Sequence, residues 1–328
     1  MRKCSFTICS NNYLGQAKVL TDSIKQLSPD FDLYIILCDK KKPSVDYMQL
    51  SANIIEVASI GIENFDWMVN NYDIVELNTA IKPFVFSYFF KKQYDIVLYF
   101  DPDIKCYQPL NVIEVELENQ NLLLTPHSFA PLDLDGNIPD DTTFLNYGIY
   151  NLGFCGMKNT QESITIIKWW SQILKEHCYN LPAIGLFVDQ LPMNLAPLYF
   201  DKVKISKNRG LNVSWWNIHE RGLDVIDGVF ECNNGDKLCF FHFSNYKPLR
   251  PKEMTIPQRY SRGLIQEGTA LCALYEDYYN SIIKANALFP KNTQCFYTKK
   301  TGTEWIRYKF KNKVSKFIFK LANMYLSI

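Results

Sequence analysis

The first hundred residues alternate short apolar runs with segments of helical spacing. Residues 16–27 and 75–90 repeat their apolar positions at helical intervals, and Pro83 stands where a second helical segment can begin. Apolar runs of strand length occupy 6–9, 33–38, 53–57 and 95–100. Strands that are apolar throughout and alternate with helices are typical of a mostly parallel sheet covered on both faces.

The pattern is less regular further along the chain. Residues 163–177 have the spacing of an amphipathic helix, with Ile164, Ile167 and Trp170 on one stripe. Short apolar segments at 122–125, 148–153, 187–195 and 238–243 complete the series, the first two predicted as strands. No internal repeat or low-complexity linker divides the chain. We therefore predict one α/β domain over 1–250.

Residues 251–328 are predicted to form a helical extension with a basic, amphipathic end. From Lys299 onward, lysines and arginines alternate with large apolar residues, and Glu304 is the one acid. Such a helix can lie in the plane of a membrane, with its apolar face among acyl chains and its cations on anionic lipid. It can also dock on the domain with its lysines in water, and the sequence leaves both arrangements open.

Composition narrows the class of protein. The formal net charge is +1, so no global field favours nucleic acid as a partner. The ten cysteines are scattered without a C-x-x-C pair, which is typical of buried thiols in a reducing compartment. The apolar stretch that follows Met1-Arg2-Lys3 is too short for the core of a signal peptide, and no uninterrupted apolar run approaches the roughly 18 residues of a membrane span. We predict a cytoplasmic protein, peripheral on the inner face of the plasma membrane if the tail binds lipid.

Two acids separated by one residue follow the most apolar strand. Asp101 and Asp103 come directly after 95–100, and side chains at i and i+2 of extended backbone point the same way. Ligands of open α/β sheets bind at the carboxyl ends of strands. Two carboxylates there can hold Mg²⁺ or Mn²⁺, which bridges to a diphosphate. A strand-ending Asp-Pro-Asp turn without a ligand is the alternative.

With this D-x-D arrangement the chain resembles the GT-A fold of nucleotide-sugar glycosyltransferases, a Rossmann-like, mostly parallel sheet flanked by helices. Three further segments and one lysine resemble the family-8 retaining enzymes, which include lipooligosaccharide galactosyltransferases and glycogenin. They are 147–154 (YGIYNLGF), 187–190 (FVDQ), 241–248 (FHFSNYKP) and Lys82. The resemblance spans about residues 5–250, and the order and spacing of its parts agree with the fold. It implies a GT-A catalytic domain over 1–250, with a donor half at about 1–110 and an acceptor half at about 120–250.

The resemblance implies a role for each segment. The metal ligands would be Asp101, Asp103 and His242. Asp189 and Gln190 would face the donor sugar and its anomeric carbon in the catalytic step. The nucleotide-sugar contacts would be Ser10, Asn11, Tyr13, Lys82, Asp101, Asn151, Gly153 and Lys247. A cation and Lys247 can together neutralise the charge that develops on a leaving diphosphate.

The sequence departs from family 8 in three places. Lys82 stands where arginine is usual, and the stretch between His242 and Lys247 lacks a usual glycine and is one residue shorter. Residues 212–221 (NVSWWNIHER) match no family-8 segment but resemble one in bacterial glycosyltransferases that also carry N-L-G-F and V-D-Q. Their residue types can line a sugar groove. They can equally provide one core tryptophan with solvated polar neighbours.

We predict a metal-dependent, retaining hexosyltransferase that moves sugar from a UDP-sugar to a glycan or lipid-linked acceptor in bacterial surface polysaccharide synthesis. Retention is expected to proceed by front-face attack, although Asp189 could act as a base if the reaction inverts. A sugar-1-phosphate nucleotidyltransferase is one alternative, but it would carry a Gly-rich loop where this chain has Ser10-Asn11-Asn12. A non-catalytic carbohydrate- or lipid-binding module is the other. No G-x-G-x-x-G follows a strand, which argues against a dehydrogenase.

Overall fold

A computed structural model gives the fold of the chain. It describes residues 1–246, 265, 267–289, 294–298, 310, 313–314, 316–318 and 320–321. Lys247, which the resemblance places at the diphosphate, lies outside the described residues.

The described secondary structure alternates strands and helices through the first half of the chain. The strands are β1 (Lys3–Cys9), β2 (Asp32–Leu37), β3 (Asn53–Glu56), β4 (Ile96–Phe100), β5 (Ile104–Cys106), β6 (Leu122–Pro126), β7 (Tyr150–Lys158), β8 (Asn180–Leu181), β9 (Leu186–Phe187), β10 (Val203–Ile205), β11 (Leu223–Ile226), β12 (Val229–Cys232) and β13 (Phe240–His242). The helices are α1 (Leu14–Leu27), α2 (Phe65–Asn71), α3 (Ile74–Ala80), α4 (Lys82–Lys91), α5 (Asn111–Leu117), α6 (Asp141–Tyr147), α7 (Gln161–His177), α8 (Ala196–Tyr199), α9 (Ile218–Arg221) and α10 (Ala270–Asn286).

Seven of the strands form one central sheet, in the spatial order β10–β6–β7–β4–β1–β2–β3. Neighbouring strands are parallel except around β7, which runs antiparallel to both β4 and β6. The predicted mostly parallel sheet is therefore confirmed. The strand predicted over 148–153 is β7, which begins later, at Tyr150, and ends later, at Lys158. It begins later because Gly148, with a φ of 109°, ends α6. It runs further because the chain stays buried almost to Lys158.

Both faces of the sheet are covered by helices, which explains why β4 is buried throughout and carries no charged residue. Val97 and Tyr99 belong to the core on the α4 and α7 side, whereas Leu98 and Phe100 face the core that includes α1 and α5. The helix predicted over 75–90 is two helices. Pro83 stands in the first turn of α4, and its ring and missing N–H are incompatible with continuation of α3.

Helix α10 of the C-terminal region packs against the sheet domain. α10 packs along α1, where a Cβ on Gly15 would lie 1.9 Å from Asn286 Oδ1. All ten cysteines are buried and none forms a disulfide. Among the described residues, no helix has the length and apolar character needed to cross a bilayer.

Candidate active site

Three metal-ligating side chains converge beyond the carboxyl end of β4. Asp101 and Asp103 follow this strand directly, and His242 ends β13, which pairs with β5 immediately after the two acids. His242 Nε2 lies 3.1 Å from Asp103 Oδ1 and 3.8 Å from Asp101 Oδ2. One ligand atom from each residue lies within 4.8 Å of the others. Two carboxylate oxygens and one imidazole nitrogen form a set that suits Mn²⁺ and accepts Mg²⁺.

The neighbours of Asp101 fix the orientation of its carboxylate. The Tyr99 hydroxyl donates to Asp101 Oδ1, and Lys82 Nζ lies 3.7 Å from the same oxygen. Asp101 Oδ2 is the oxygen nearer His242. The Asp101 N–H donates to the Gly153 carbonyl at 2.7 Å, which fixes the turn after β4 to the neighbouring strand. The residues present therefore fit a divalent cation.

Electrostatics in the triad are those of an anionic site. Burial opposes charge on His242, but the carboxylates of Asp103 and Asp101 outweigh it and raise the pKa of His242. Burial also opposes ionisation of Asp103, yet the attraction and hydrogen bond of His242 leave the pKa of Asp103 lowered. The raised pKa of His242 shows that the two carboxylates favour positive charge at this position, and the lowered pKa of Asp103 is the reciprocal effect of His242.

Gly153 lets His242 approach β7. A Cβ at this position would lie 2.4 Å from His242 Cε1 and 2.8 Å from Asn151 Oδ1. Asn151 Oδ1 accepts a hydrogen bond of 3.0 Å from the Gly153 N–H. The structure thus brings Asn151, Gly153 and His242 together, and the close approach requires glycine between them.

A buried ion pair lies beside the triad. Lys82 Nζ is 2.7 Å from Asp189 Oδ2 and donates to the Leu152 carbonyl at 2.8 Å. Both side chains are 2% exposed. Burial raises the pKa of Asp189 to about 6 although the Lys82 ammonium favours its ionisation. The pKa of Lys82 is raised because Asp189 and Asp101 together outweigh its burial.

The backbone around Asp189 is held in an unusual conformation. Val188 has φ of 36°, which is strained for a β-branched residue and is characteristic of functional sites. The Trp170 indole donates to the Asp189 carbonyl at 3.0 Å. Gln190 Nε2 donates to the Tyr147 carbonyl at 2.6 Å and Gln190 Oε1 accepts from the Leu152 N–H at 2.9 Å. The Asp189 carboxylate pairs with Lys82 and does not cap the 3-10 turn that follows.

Comparison with solved structures places this geometry in a known fold. The galactosyltransferase LgtC, solved in complex with donor and acceptor sugar analogs, is similar with a TM-score of 0.50 and 14% identity over 93% of this chain and 99% of LgtC. The chain has the GT-A fold. The bifunctional glycosyltransferase WbbM matches it with a TM-score of 0.50 and 14% identity over 88% of this chain. This chain spans about half of WbbM, covering 52% of its length. At these identities the similarity establishes the fold alone.

The sequence relatives of this chain do not indicate an activity. The uncharacterized proteins YfnF and YfnD of Bacillus subtilis (strain 168) are 25% and 24% identical to this chain. The matches cover 74% and 83% of this chain, and 80% and 86% of the relatives. No family model matches the sequence.

The predicted contact residues in the loop after β1 of this GT-A fold differ in how accessible their side chains are. Asn11 is 1% exposed, and its Nδ2 donates to Asp39 Oδ2 at 2.7 Å and to the Lys40 carbonyl at 2.9 Å. Ser10 is also buried, with its hydroxyl on Asn12. Tyr13 is 45% exposed and lines a cavity of about 170 Å³ together with Asp103. Of the three predicted contacts, Tyr13 is the one whose side chain is open beside the triad.

Sequence reasoning missed Tyr99, whose hydroxyl holds Asp101. It was hidden in an apolar strand, yet the spacing of two residues from Asp101 puts both side chains on one face. It also missed His127, which lies within hydrogen-bond distance of Asn151, with Nε2 3.2 Å from Asn151 Nδ2. No sequence pattern marks that histidine.

Proposed function

We propose that this chain is a metal-dependent glycosyltransferase that transfers a sugar from a nucleotide sugar to a glycan or lipid-linked acceptor. The observation that carries the proposal is the convergence of Asp101, Asp103 and His242 at the carboxyl end of β4 in a GT-A fold. UDP is proposed as the nucleotide, a hexose as the sugar, and bacterial surface polysaccharide as the product, following the family resemblance. Mn²⁺ or Mg²⁺ is the proposed cofactor.

The three triad residues would hold the cation, and Lys82 lies against the Asp101 oxygen that faces away from His242. When bound, a divalent cation supplies positive charge that stabilises a leaving diphosphate. Tyr13 is open at the edge of the same cavity as Asp103, a position suited to a nucleotide contact. Lys247 is proposed as a second cationic contact for the diphosphate.

Asp189 and Gln190 are proposed to face the donor sugar. Asp189 is buried and paired with Lys82, which makes it a poor nucleophile because its charge is already compensated. Gln190 is held at both ends of its amide by backbone groups and so keeps one orientation. This arrangement favours retention by front-face attack. NMR of the product gives the anomeric configuration, and a configuration opposite to that of the donor refutes this part of the proposal.

The deciding experiment is calorimetric titration of UDP with and without Mn²⁺. Wild type is compared with Asp101→Ala/Asp103→Ala and with the matched control Asp201→Ala/Asp224→Ala, which removes two exposed aspartates outside the site. We expect Mn²⁺-dependent binding in wild type and the control, and its loss in the triad variant. Binding of GDP or dTDP instead of UDP changes the nucleotide only. Absence of metal-dependent binding of any nucleotide refutes the proposal and favours a binding module.

A second assay separates transfer from nucleotide activation. Formation of a nucleotide sugar from nucleoside triphosphate and sugar 1-phosphate indicates a nucleotidyltransferase. Release of nucleoside diphosphate from a nucleotide sugar, increased by an acceptor, is the result expected here.

The described residues of the tail support membrane contact. Phe310, Val314, Phe317, Ile318 and Leu321 are helical, 39–68% exposed, and spaced to share one face. Lys313, Lys316 and Lys320 lie between them in sequence and are also exposed. We propose that this face lies on anionic lipid at the inner surface of the plasma membrane.

Vesicle flotation tests the lipid contact. We expect binding to phosphatidylglycerol-containing vesicles but not to phosphatidylcholine alone, with loss of binding when the three lysines are replaced by serine. Each lysine near an anionic surface contributes about 1 kcal/mol. Failure to bind either vesicle type supports docking of the tail on the domain instead, and equal binding to both refutes the role of the lysines.

A further inference from the structure

Residues 211–221, here called the 211–221 segment, form a rigid turn followed by α9. Asn217 is fully buried and ties the turn together: its Oδ1 accepts from the Ser214 N–H at 2.9 Å, and its Nδ2 donates to the Asn212 carbonyl at 3.1 Å. Arg221, equally buried, donates to the Leu211 carbonyl at 3.1 Å and lies beside Glu220, whose carboxylate is 3.3 Å away. Most of the polar side chains that could have bound sugar thus form hydrogen bonds within the segment instead.

Only part of the segment is accessible to a ligand. Trp216 is 4% exposed, Trp215 is half-buried, and His219 is exposed. Glu220 accepts hydrogen bonds from the Phe129 and Ala130 N–H groups, so it anchors a neighbouring loop. The burial pattern is that of a supporting element beneath a site rather than of a sugar-stacking surface.

The segment holds His242 from three directions. The His242 N–H donates to the Val213 carbonyl at 2.8 Å, and the Ser214 hydroxyl donates to the His242 carbonyl at 2.6 Å. The Trp216 ring meets the imidazole edge-on, with centroids 5.2 Å apart and planes at 86°. Because the imidazole also lies directly against Gly153 of β7, the ring has little freedom to leave the triad.

The same segment fixes Asn151. Asn212 Nδ2 donates to Asn151 Oδ1 at 3.0 Å and to Thr125 Oγ1 at 2.9 Å. Since Asn151 Oδ1 already accepts from Asn212 and Gly153, its Nδ2 is the group that faces His127 Nε2. His127 in turn packs edge-on against Trp216, with centroids 5.5 Å apart. Two residues of the donor site are therefore supported by one element.

We propose that the 211–221 segment is the positioning element of the active site, with Ser214 and Trp216 setting the metal ligand His242 and Asn212 setting Asn151. These residues act through His242 and Asn151 and do not touch the cation or the donor themselves. The proposal rests on the proposed function, since it assigns the segment to that metal and donor site. Residues that orient metal ligands typically change metal affinity 10- to 100-fold when they are removed.

The test is the affinity for Mn²⁺ alone, measured from the electron paramagnetic resonance signal of free Mn²⁺. We expect Trp216→Leu and Ser214→Ala to weaken Mn²⁺ binding about 10-fold or more, Trp216→Phe to restore much of it, and the adjacent Trp215→Leu to bind like wild type. The visible spectrum of bound Co²⁺ provides a second readout that a loss of stability alone does not move. We expect this spectrum to change in Trp216→Leu and Ser214→Ala and to stay unchanged in Trp215→Leu.

The outcomes separate this proposal from the function on which it rests. If wild type binds Mn²⁺ and folded Trp216→Leu and Ser214→Ala bind it equally well with an unchanged Co²⁺ spectrum, the positioning role is refuted and the transferase proposal stands. If wild type binds no metal, the proposed function fails and the positioning role falls with it. Circular dichroism and thermal unfolding without metal verify that each variant is folded. If Trp216→Leu does not fold, the result for Ser214→Ala alone tests the positioning role.

Discussion

Replacement of Gly153 by alanine tests how closely His242 must approach β7. The added Cβ would lie 2.4 Å from His242 Cε1 and 2.6 Å from Nδ1, about 1 Å short of the roughly 3.5 Å at which carbon atoms make favourable contact. Trp216 packs edge-on against the imidazole, 5.2 Å between centroids, so the imidazole must move within the triad or β7 must shift. Metal ligands tolerate deviations of about 0.2 Å.

Two quantities follow for Gly153→Ala. Overpacking is expected to lower the free energy of unfolding by about 1–3 kcal/mol. A displacement of about 1 Å at a catalytic centre can cost about 100-fold, so we expect Mn²⁺ affinity to fall by about that factor. Urea unfolding and Mn²⁺ titration measure the two effects separately.

Gly156→Ala is the matched control on the same strand. Its Cβ would lie 2.9 Å from Leu98 Cδ2 and 3.0 Å from Leu117 Cδ1, which are ends of flexible side chains in the apolar core. We expect a comparable or smaller loss of stability and unchanged Mn²⁺ affinity. Wild-type Mn²⁺ affinity in folded Gly153→Ala would refute the reasoning, because it would mean that His242 is not confined where the metal binds.

Two further predictions concern buried charge. Lys82→Met leaves the Asp189 carboxylate buried without its partner and is expected to lower the free energy of unfolding by about 3–5 kcal/mol. The control Lys91→Met, at an exposed position of the same helix, should change the free energy of unfolding by less than about 0.5 kcal/mol. If the two variants unfold at the same urea concentration, the pairing of Lys82 with Asp189 is contradicted. Burial lowers the pKa of His127 from 6.5 to about 4, so its contribution to stability is complete above pH 6.5 and is lost as the pH falls toward 4. Between pH 7 and pH 4.5, wild type should therefore lose roughly 2–3 kcal/mol more than His127→Gln in urea unfolding, whereas parallel pH profiles would show that His127 is not buried neutral.

The sequence predicted those parts of the site that depend on local geometry. The alternation of strands and helices indicated the sheet, and the spacing of Asp101 and Asp103 after β4 placed two carboxylates together because extended backbone repeats every two residues. His242, Asp189 and Gln190 were identified by resemblance to a family, not by pattern. The positions of these three residues in the sequence do not indicate how close their side chains lie in the fold.

Residues 212–221 show why residue type alone was insufficient. The same residue types, tryptophan, asparagine, histidine and arginine, occur both in sugar-binding grooves and in buried turns held by hydrogen bonds. Burial distinguishes the two, and burial depends on what packs against the segment. Here β13 and the loop at 129–130 are the neighbours that decide it.

The sequence by itself determined the mostly parallel sheet, the place of Pro83 where a second helical segment can begin, and the pair of acids after β4, because each depends on backbone periodicity or on the chemistry of single residues. Only the tertiary structure decided that β7 runs antiparallel within the sheet, that Lys82 pairs with Asp189, and that Trp216 packs on His242. These contacts join residues far apart in the chain. Their formation depends on how all elements share one core, which no local pattern encodes.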